Sequence, residues 1–287
     1  MTPAAEQVLL REATPWGVRL VLNRPDKLNA ISAELRDALV DAIAEATADE
    51  RVRVIAIAGA GRAFCAGYDL SEAAPPTAWD WRDVLARDVA ATLAVWSCPK
   101  PVIAQVHGYA LAGGLELAMA CDLIVAADDA RLGEPEIRFG SAPVTLLMPF
   151  VIGQKRTREL LLTGDLIDAA TAERYGLVNR VVPADRLAAE VDGLADRLAR
   201  VPPDVMAPTK LMLNRAMDAA GFAAAVEMGL DLQSFVNMSE TAREFDGIVR
   251  RDGLKAALAW RDRRYDERLA EPGGPTRDPD PEAPPAR

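Results

Sequence analysis

Three short runs rich in β-branched residues, at positions 51–59 (RVRVIAIAG), 101–106 (PVIAQV) and 123–127 (LIVAA), recur through the first half of the chain with helical stretches between them. Strands that alternate with helices must be joined by crossovers, so this order predicts an α/β fold around a largely parallel sheet. Ahead of them, residues 8–10 and 18–23 flank a Thr14-Pro15-Trp16-Gly17 turn and read as an antiparallel hairpin that ends at Pro25. Ser32 stands as a helix N-cap before Leu35, Ala38, Leu39, Ile43 and Ala46, which recur at helical spacing. Residues 131–144 carry two glycines and two prolines between apolar segments and read as a loop, the kind of segment that often lines a site. Helices over 156–162 and 169–175 and a short strand over 177–182 follow, then helix over 184–199 and from 203 to about 264. Residues 271–287 (EPGGPTRDPDPEAPPAR) have almost nothing apolar to bury and are expected to be disordered.

Composition narrows the chemistry. Half of the 287 residues are hydrophobic and 26% are charged, as in a globular protein. The net charge of −10, with no dense basic stripe, argues against a nucleic-acid partner. His107 is the single histidine, so zinc sites and Ser-His or Cys-His nucleophiles would all have to run through it. Cys65, Cys98 and Cys121 form neither an even set nor a C-x-x-C pair, which fits a reducing cytoplasm, and neither a secretory leader nor a membrane-spanning run is predicted.

Three segments then carry chemistry. The run after the first strand, 58–70 (AGAGRAFCAGYDL), is glycine-rich, but Phe64 stands where a dinucleotide fingerprint needs its third glycine and no Gly-Lys-Ser/Thr ending makes a phosphate loop. Small residues here either make an ordinary strand-to-helix turn or leave backbone N–H groups facing a cleft. In 106–122 (VHGYALAGGLELAMACD) two glycines meet a helix start, where unpaired N–H groups could face a developing anion, and Glu116 falls in the first helical turn. In 132–137 (LGEPEI), Glu134 and Glu136 are either solvated surface charges or, with Glu116, part of an acid and base pair.

Taken with the opening RPDKLNAIS (24–32) and LLLTGDLIDAATAERYGLVNRVV (160–182), these runs resemble the enoyl-CoA hydratase/isomerase (crotonase) family over nearly the whole ordered chain. The resemblance implies an α/β, crotonase-like spiral of ββα units with a C-terminal helical trimerisation region. It implies a spiral core with the active site over 1–200, a helical oligomerisation region over 201–270 and the tail over 271–287. It implies an acyl-CoA thioester as substrate, with coenzyme A part of that substrate, no metal or other cofactor, and assembly as a homotrimer or homohexamer. The expected activity is reversible addition of water to a 2-enoyl-CoA in fatty acid metabolism. Isomerisation, thioester hydrolysis and a non-catalytic CoA-binding role on the same fold stay as alternatives.

Carried over by position, the backbone N–H groups of Tyr68 and Gly113 would form an oxyanion hole, where each donor can be worth ~2.7–4 kcal/mol of barrier. Glu116 and Glu136 would share the attacking water, one helping to deprotonate it and the other delivering a proton to the α-carbon. Leu28, Ala30, Ala66, Asp69, Leu70, Ser71, Gly114 and Val144 would line or contact the substrate, and His107 would be a structural hydrogen-bonding residue. The chain departs from the family after Glu136, where RFGSAPVTLLMP (138–149) replaces a glycine-rich loop, with Val144 at a usual glycine, and Tyr68 is larger than the common alanine. Those changes bear on which acyl group fits.

Overall fold

A computed structural model describes the backbone of residues 7–270 and the side chains of residues 7–263. The Thr14–Gly17 turn joins β1 (Leu9–Thr14) to β2 (Gly17–Leu22) as an antiparallel hairpin. α1 (Ala33–Ala48) follows, its Ser32 hydroxyl accepting from the Leu35 N–H at 3.3 Å as the N-cap pattern predicts. β3 (Val54–Gly59), α2 (Ala78–Ser97), β4 (Val102–Val106), β5 (Tyr109–Leu111), α3 (Gly113–Ala120) and β6 (Leu123–Ala127) continue the alternation. Then come β7 (Arg131–Gly133), α4 (Met148–Ile152), α5 (Gln154–Thr163), β8 (Ile167–Asp168), α6 (Ala169–Tyr175) and β9 (Arg180–Val182). Four helices follow α7 (Leu187–Ala199): α8 (Pro203–Ala219), α9 (Phe222–Val236), α10 (Glu240–Asp252) and α11 (Leu254–Ala270).

The main sheet runs β1-β2-β3-β4-β6-β9 and is parallel from β2 onward, while β5, β7 and β8 form a small second sheet. Its central strands bury both faces, which is why they read as unbroken apolar runs. Ile55, Ile57 and Val102 pack into the large core with Leu35 and Leu39 of α1 and Leu115 of α3. The alternate residues Val54, Ala56 and Ile103 face Leu187, Val191 and Leu194 of α7.

The loop expected over 131–144 holds more structure than its glycines and prolines suggest: β7, then a 3-10 turn over Pro135–Phe139. The strand expected over 177–182 is confined to β9, preceded by the buried Leu177 and Val178. The C-terminal helices come back onto the 3-10 turn, where Phe139 stacks on Phe245 of α10 with ring centroids 4.8 Å apart. α8 is pinned to the sheet by Lys210, whose Nζ donates to Asp122 Oδ2 at 2.7 Å; the same oxygen accepts from the Val102 N–H. The tail over 271–287 lies outside the described residues.

Candidate active site

The segment after β3 is held in an extended path between two neighbours. On one side Cys65 bridges Ala110, its N–H donating to Tyr109 O and its carbonyl accepting from Leu111. On the other, Gly67 O and the Asp69 N–H bond to Ile31. Successive N–H groups of an extended chain point to opposite sides, so the Tyr68 N–H is turned away from Ile31 and toward the start of α3. There Gly113 begins the helix, and a Cβ placed on Gly67 would fall 3.4 Å from the Gly113 nitrogen. Among the described residues neither the Tyr68 nor the Gly113 N–H has a hydrogen-bond acceptor. Two unpaired donors thus stand side by side at a helix N-terminus.

The Tyr68 ring is folded back over Gly113, so close that a Cβ at Gly113 would meet its Cε2 at 2.3 Å; only glycine fits beneath it. The Tyr68 hydroxyl is hydrogen-bonded to Thr92 of α2. Immediately before Gly113, Ala112 takes φ 54° and ψ −134°, a region otherwise left to glycine, so strain is concentrated at this junction. Asn29, fully buried, ties the facing loop together: its Nδ2 donates to Ala60 O and Ala63 O, both at 2.8 Å, and its Oδ1 accepts from the Arg24 N–H. Its φ of 56° is one that asparagine tolerates better than most residues, the local signal for this role in the sequence.

Glu116 projects from the first turn of α3 with one oxygen fully engaged. Its Oε1 accepts from the Val144 N–H (3.0 Å), the Thr145 N–H (2.7 Å) and the Thr145 hydroxyl (2.5 Å). Burial raises its pKa, and the hydrogen bonds from Thr145 and Val144 pull against that rise. Glu136 sits on the 3-10 turn with its Oε2 buried and unpartnered, and burial, aided by the negative Glu116, pushes it up to about 8. Glu134 is not a surface charge either: it is 1% exposed, both its oxygens lack partners, and burial followed by repulsion from Glu136 and Glu116 raises it far above the carboxylate range.

Glu116 and Glu136 line one cavity of about 730 Å³ together with Leu28, Ala30, Ala66, Tyr68, Asp69, Leu70 and Val144. Ser71 and Gly114 stand behind this lining: the Ser71 hydroxyl donates to Asp69 Oδ1 at 2.6 Å, and Gly114 lies against Cys65. Asp69 is itself paired with Arg24 at 2.8 Å. His107 Nε2–H donates to Gly61 O at 2.9 Å, away from the carboxylates. The cavity wall also carries Lys27, Arg62, Lys255 and Arg261. Lys27 and Arg62 lie in the 24–32 and 58–70 runs, whereas Lys255 and Arg261 come from α11, far along the chain.

Residues 17–251 match the enoyl-CoA hydratase/isomerase family. The chain is 37% identical over 219 residues to a Mycobacterium tuberculosis protein named "Probable enoyl-CoA hydratase", covering 75% of this chain and 84% of that one. It is 36% identical over 199 residues to a crotonyl-CoA hydratase of Syntrophomonas wolfei, covering 68% and 76%. Among solved structures, an enoyl-CoA hydratase/isomerase from Xanthobacter autotrophicus Py2 superposes with a TM-score of 0.87 at 40% identity, covering 90% of this chain and 98% of that one. The chain therefore belongs to the enoyl-CoA hydratase/isomerase family and has its crotonase fold.

Proposed function

We propose that this chain is an enoyl-CoA hydratase, adding water reversibly across the double bond of a 2-enoyl-CoA thioester. The observation that carries the reading is the pair of buried carboxyls, Glu116 and Glu136, facing one cavity beside two unpaired backbone donors. The thioester oxygen accepts from the Tyr68 and Gly113 N–H groups, which draws charge onto oxygen and leaves the β-carbon electrophilic. Glu116, its anion favoured by three hydrogen bonds, takes a proton from the attacking water as the new C–O bond forms at the β-carbon. Glu136, held protonated by burial, gives its proton to the α-carbon. One water is consumed, and the two carboxyls exchange protonation states until solvent resets them.

The coenzyme A portion supplies phosphates, and Lys27, Arg62, Lys255 and Arg261 are the cavity's cations in a chain of net charge −10. Leu28, Ala30, Ala66, Asp69, Leu70 and Val144 form the wall along which the thioester arm runs, with Ser71 and Gly114 supporting that wall. Residues 1–200 act as the spiral core and 201–270 as an oligomerisation region of a homotrimer or homohexamer. Leu211, Met212 and Leu213 of α8 and Met228, Leu232 and Phe235 of α9 are all exposed, an apolar surface suited to a second copy. The three cysteines are unpaired and buried, which suits a reducing cytoplasm.

The test follows the loss of conjugated enoyl-thioester absorbance with crotonyl-CoA and a longer 2-enoyl-CoA, with free thiol measured in the same samples. Absorbance loss without thiol, and a hydroxyacyl-CoA by mass, is the expected result; thiol release would replace hydration by hydrolysis. Glu116→Gln and Glu136→Gln should each lower turnover by orders of magnitude while acyl-CoA binding survives.

A further inference from the structure

Behind the catalytic cavity lies a second, smaller lobe of about 190 Å³. The two share Tyr68, Leu70, Leu85 and Phe139 as common walls, so the lobe begins where the space around Glu116 and Glu136 ends. Trp81, Phe139 and Phe245 give it aromatic faces. An apolar cavity of about 150 Å³ is enough to hold benzene, so this volume suits a ring.

The lobe is not wholly apolar. Arg36 of α1 and Asp88 of α2, both 8% exposed, form an ion pair in its wall, Nη1 to Oδ1 at 3.0 Å. Arg36 Nε is taken by Asp37, whereas Arg36 Nη2 and Asp88 Oδ2 have no partner among the described residues. A buried pair with one donor and one acceptor unused is poorly served by an alkyl tail, which displaces water and returns no hydrogen bond. A tail carboxylate would face Asp88, Glu72 and Asp246 with Arg36 already paired, and would be repelled. A hydroxyl answers both needs, since it accepts from the guanidinium and donates to the carboxylate.

We propose that this lobe receives the far end of the acyl chain and that the Arg36–Asp88 pair makes the protein selective for ring-sized acyl groups bearing a hydroxyl. Arg36 and Asp88 are specificity residues here, and Asp88 also acts electrostatically on Glu116 and Tyr68. The inference rests on the acyl-CoA reading of the main cavity, and its test is kept independent of turnover.

Calorimetric Kd values for the saturated, unreactive thioesters 3-(4-hydroxyphenyl)propanoyl-CoA and 3-phenylpropanoyl-CoA measure the preference directly, with butanoyl-CoA as the short reference. The hydroxylated ligand should bind about tenfold tighter or more, because a site built to hydrogen-bond a hydroxyl rejects the analogue that lacks it. Asp88→Asn should bring that ratio close to one. Val84→Trp, which fills the lobe and leaves the pair in place, should weaken both ring ligands relative to butanoyl-CoA. A ratio near one in the unaltered protein overturns the proposal. So does a Val84→Trp variant that weakens all three ligands equally, which answers the question even where Asp88→Asn does not fold. Failure of the hydratase reading shows instead in the absorbance assay, with these binding ratios intact.

Discussion

Thr145 gives Glu116 two of its three hydrogen bonds, and the hydroxyl bond is the shortest of them. Replacing it by valine keeps the backbone donor and the shape and removes only the hydroxyl. Because that hydrogen bond opposes the rise that burial causes, its loss raises the Glu116 pKa further. Glu116 must be ionised to accept a proton, so the acid limb of the kcat/KM profile should move to higher pH in Thr145→Val, with kcat lower by about tenfold to hundredfold. Glu136 must be protonated to donate, so the unaltered protein should lose hydration activity as pH rises through about 8. A profile flat through that range, or an acid limb that stays in place in the variant, would remove these roles. Ala112, in its glycine-like conformation, is a different kind of residue effect: strain at the residue that leads into Gly113, maintained by the packing around it.

α9 lends Gln233 to the cavity wall and also acts on the site from behind. A Cβ at Gly229 would lie 2.4 Å from Val144 O, so this helix backs directly onto the loop whose N–H groups hold Glu116. Gly229→Ala raises helix propensity by about 1 kcal/mol, yet it must displace that loop. The expected outcome is a large fall in kcat with acyl-CoA affinity nearly kept, read by steady-state kinetics beside calorimetry. The strands of the main sheet, the hairpin and the Ser32 cap were legible because each depends on local pattern: turn residues, periodicity, a side chain three residues from its partner; the short strands β5, β7 and β8 were not, because their pairing joins distant segments. The carboxyls at 116 and 136 could be singled out by the family motifs around them. Whether Glu134 was a surface charge could not be read, because its burial depends on how distant segments close over the turn that follows β7. The Arg36–Asp88 pair spans 52 residues of sequence and two helices, and its contact exists only once α1 and α2 are packed. The two donors of residues 144 and 145 belong to backbone, on which side-chain identity is silent.

At the scale of the whole molecule, the late helices divide their apolar residues. Phe222, Val226 and Leu230 of α9 turn into the core, whereas Met228, Leu232 and Phe235 stay exposed. If that outer face joins copies, Phe235→Asp should lower the native mass toward one chain in light scattering, with the secondary structure unchanged in circular dichroism. An unaltered mass would place the contact elsewhere. The α10 and α11 helices close over the 3-10 turn through Phe139 and Phe245, so the C-terminal region is part of the site's enclosure as well as a surface. Tyr68 and Gly113 offer main-chain N–H groups, which persist through any exchange of side chain that leaves the backbone path intact. The cavity walls at Val144, Phe139, Leu85 and Asp88, by contrast, are side chains. Inheritance can therefore act on the two unequally: a pair of main-chain donors is copied forward almost by default, while the shape and polarity of the space beside them are open to revision one codon at a time.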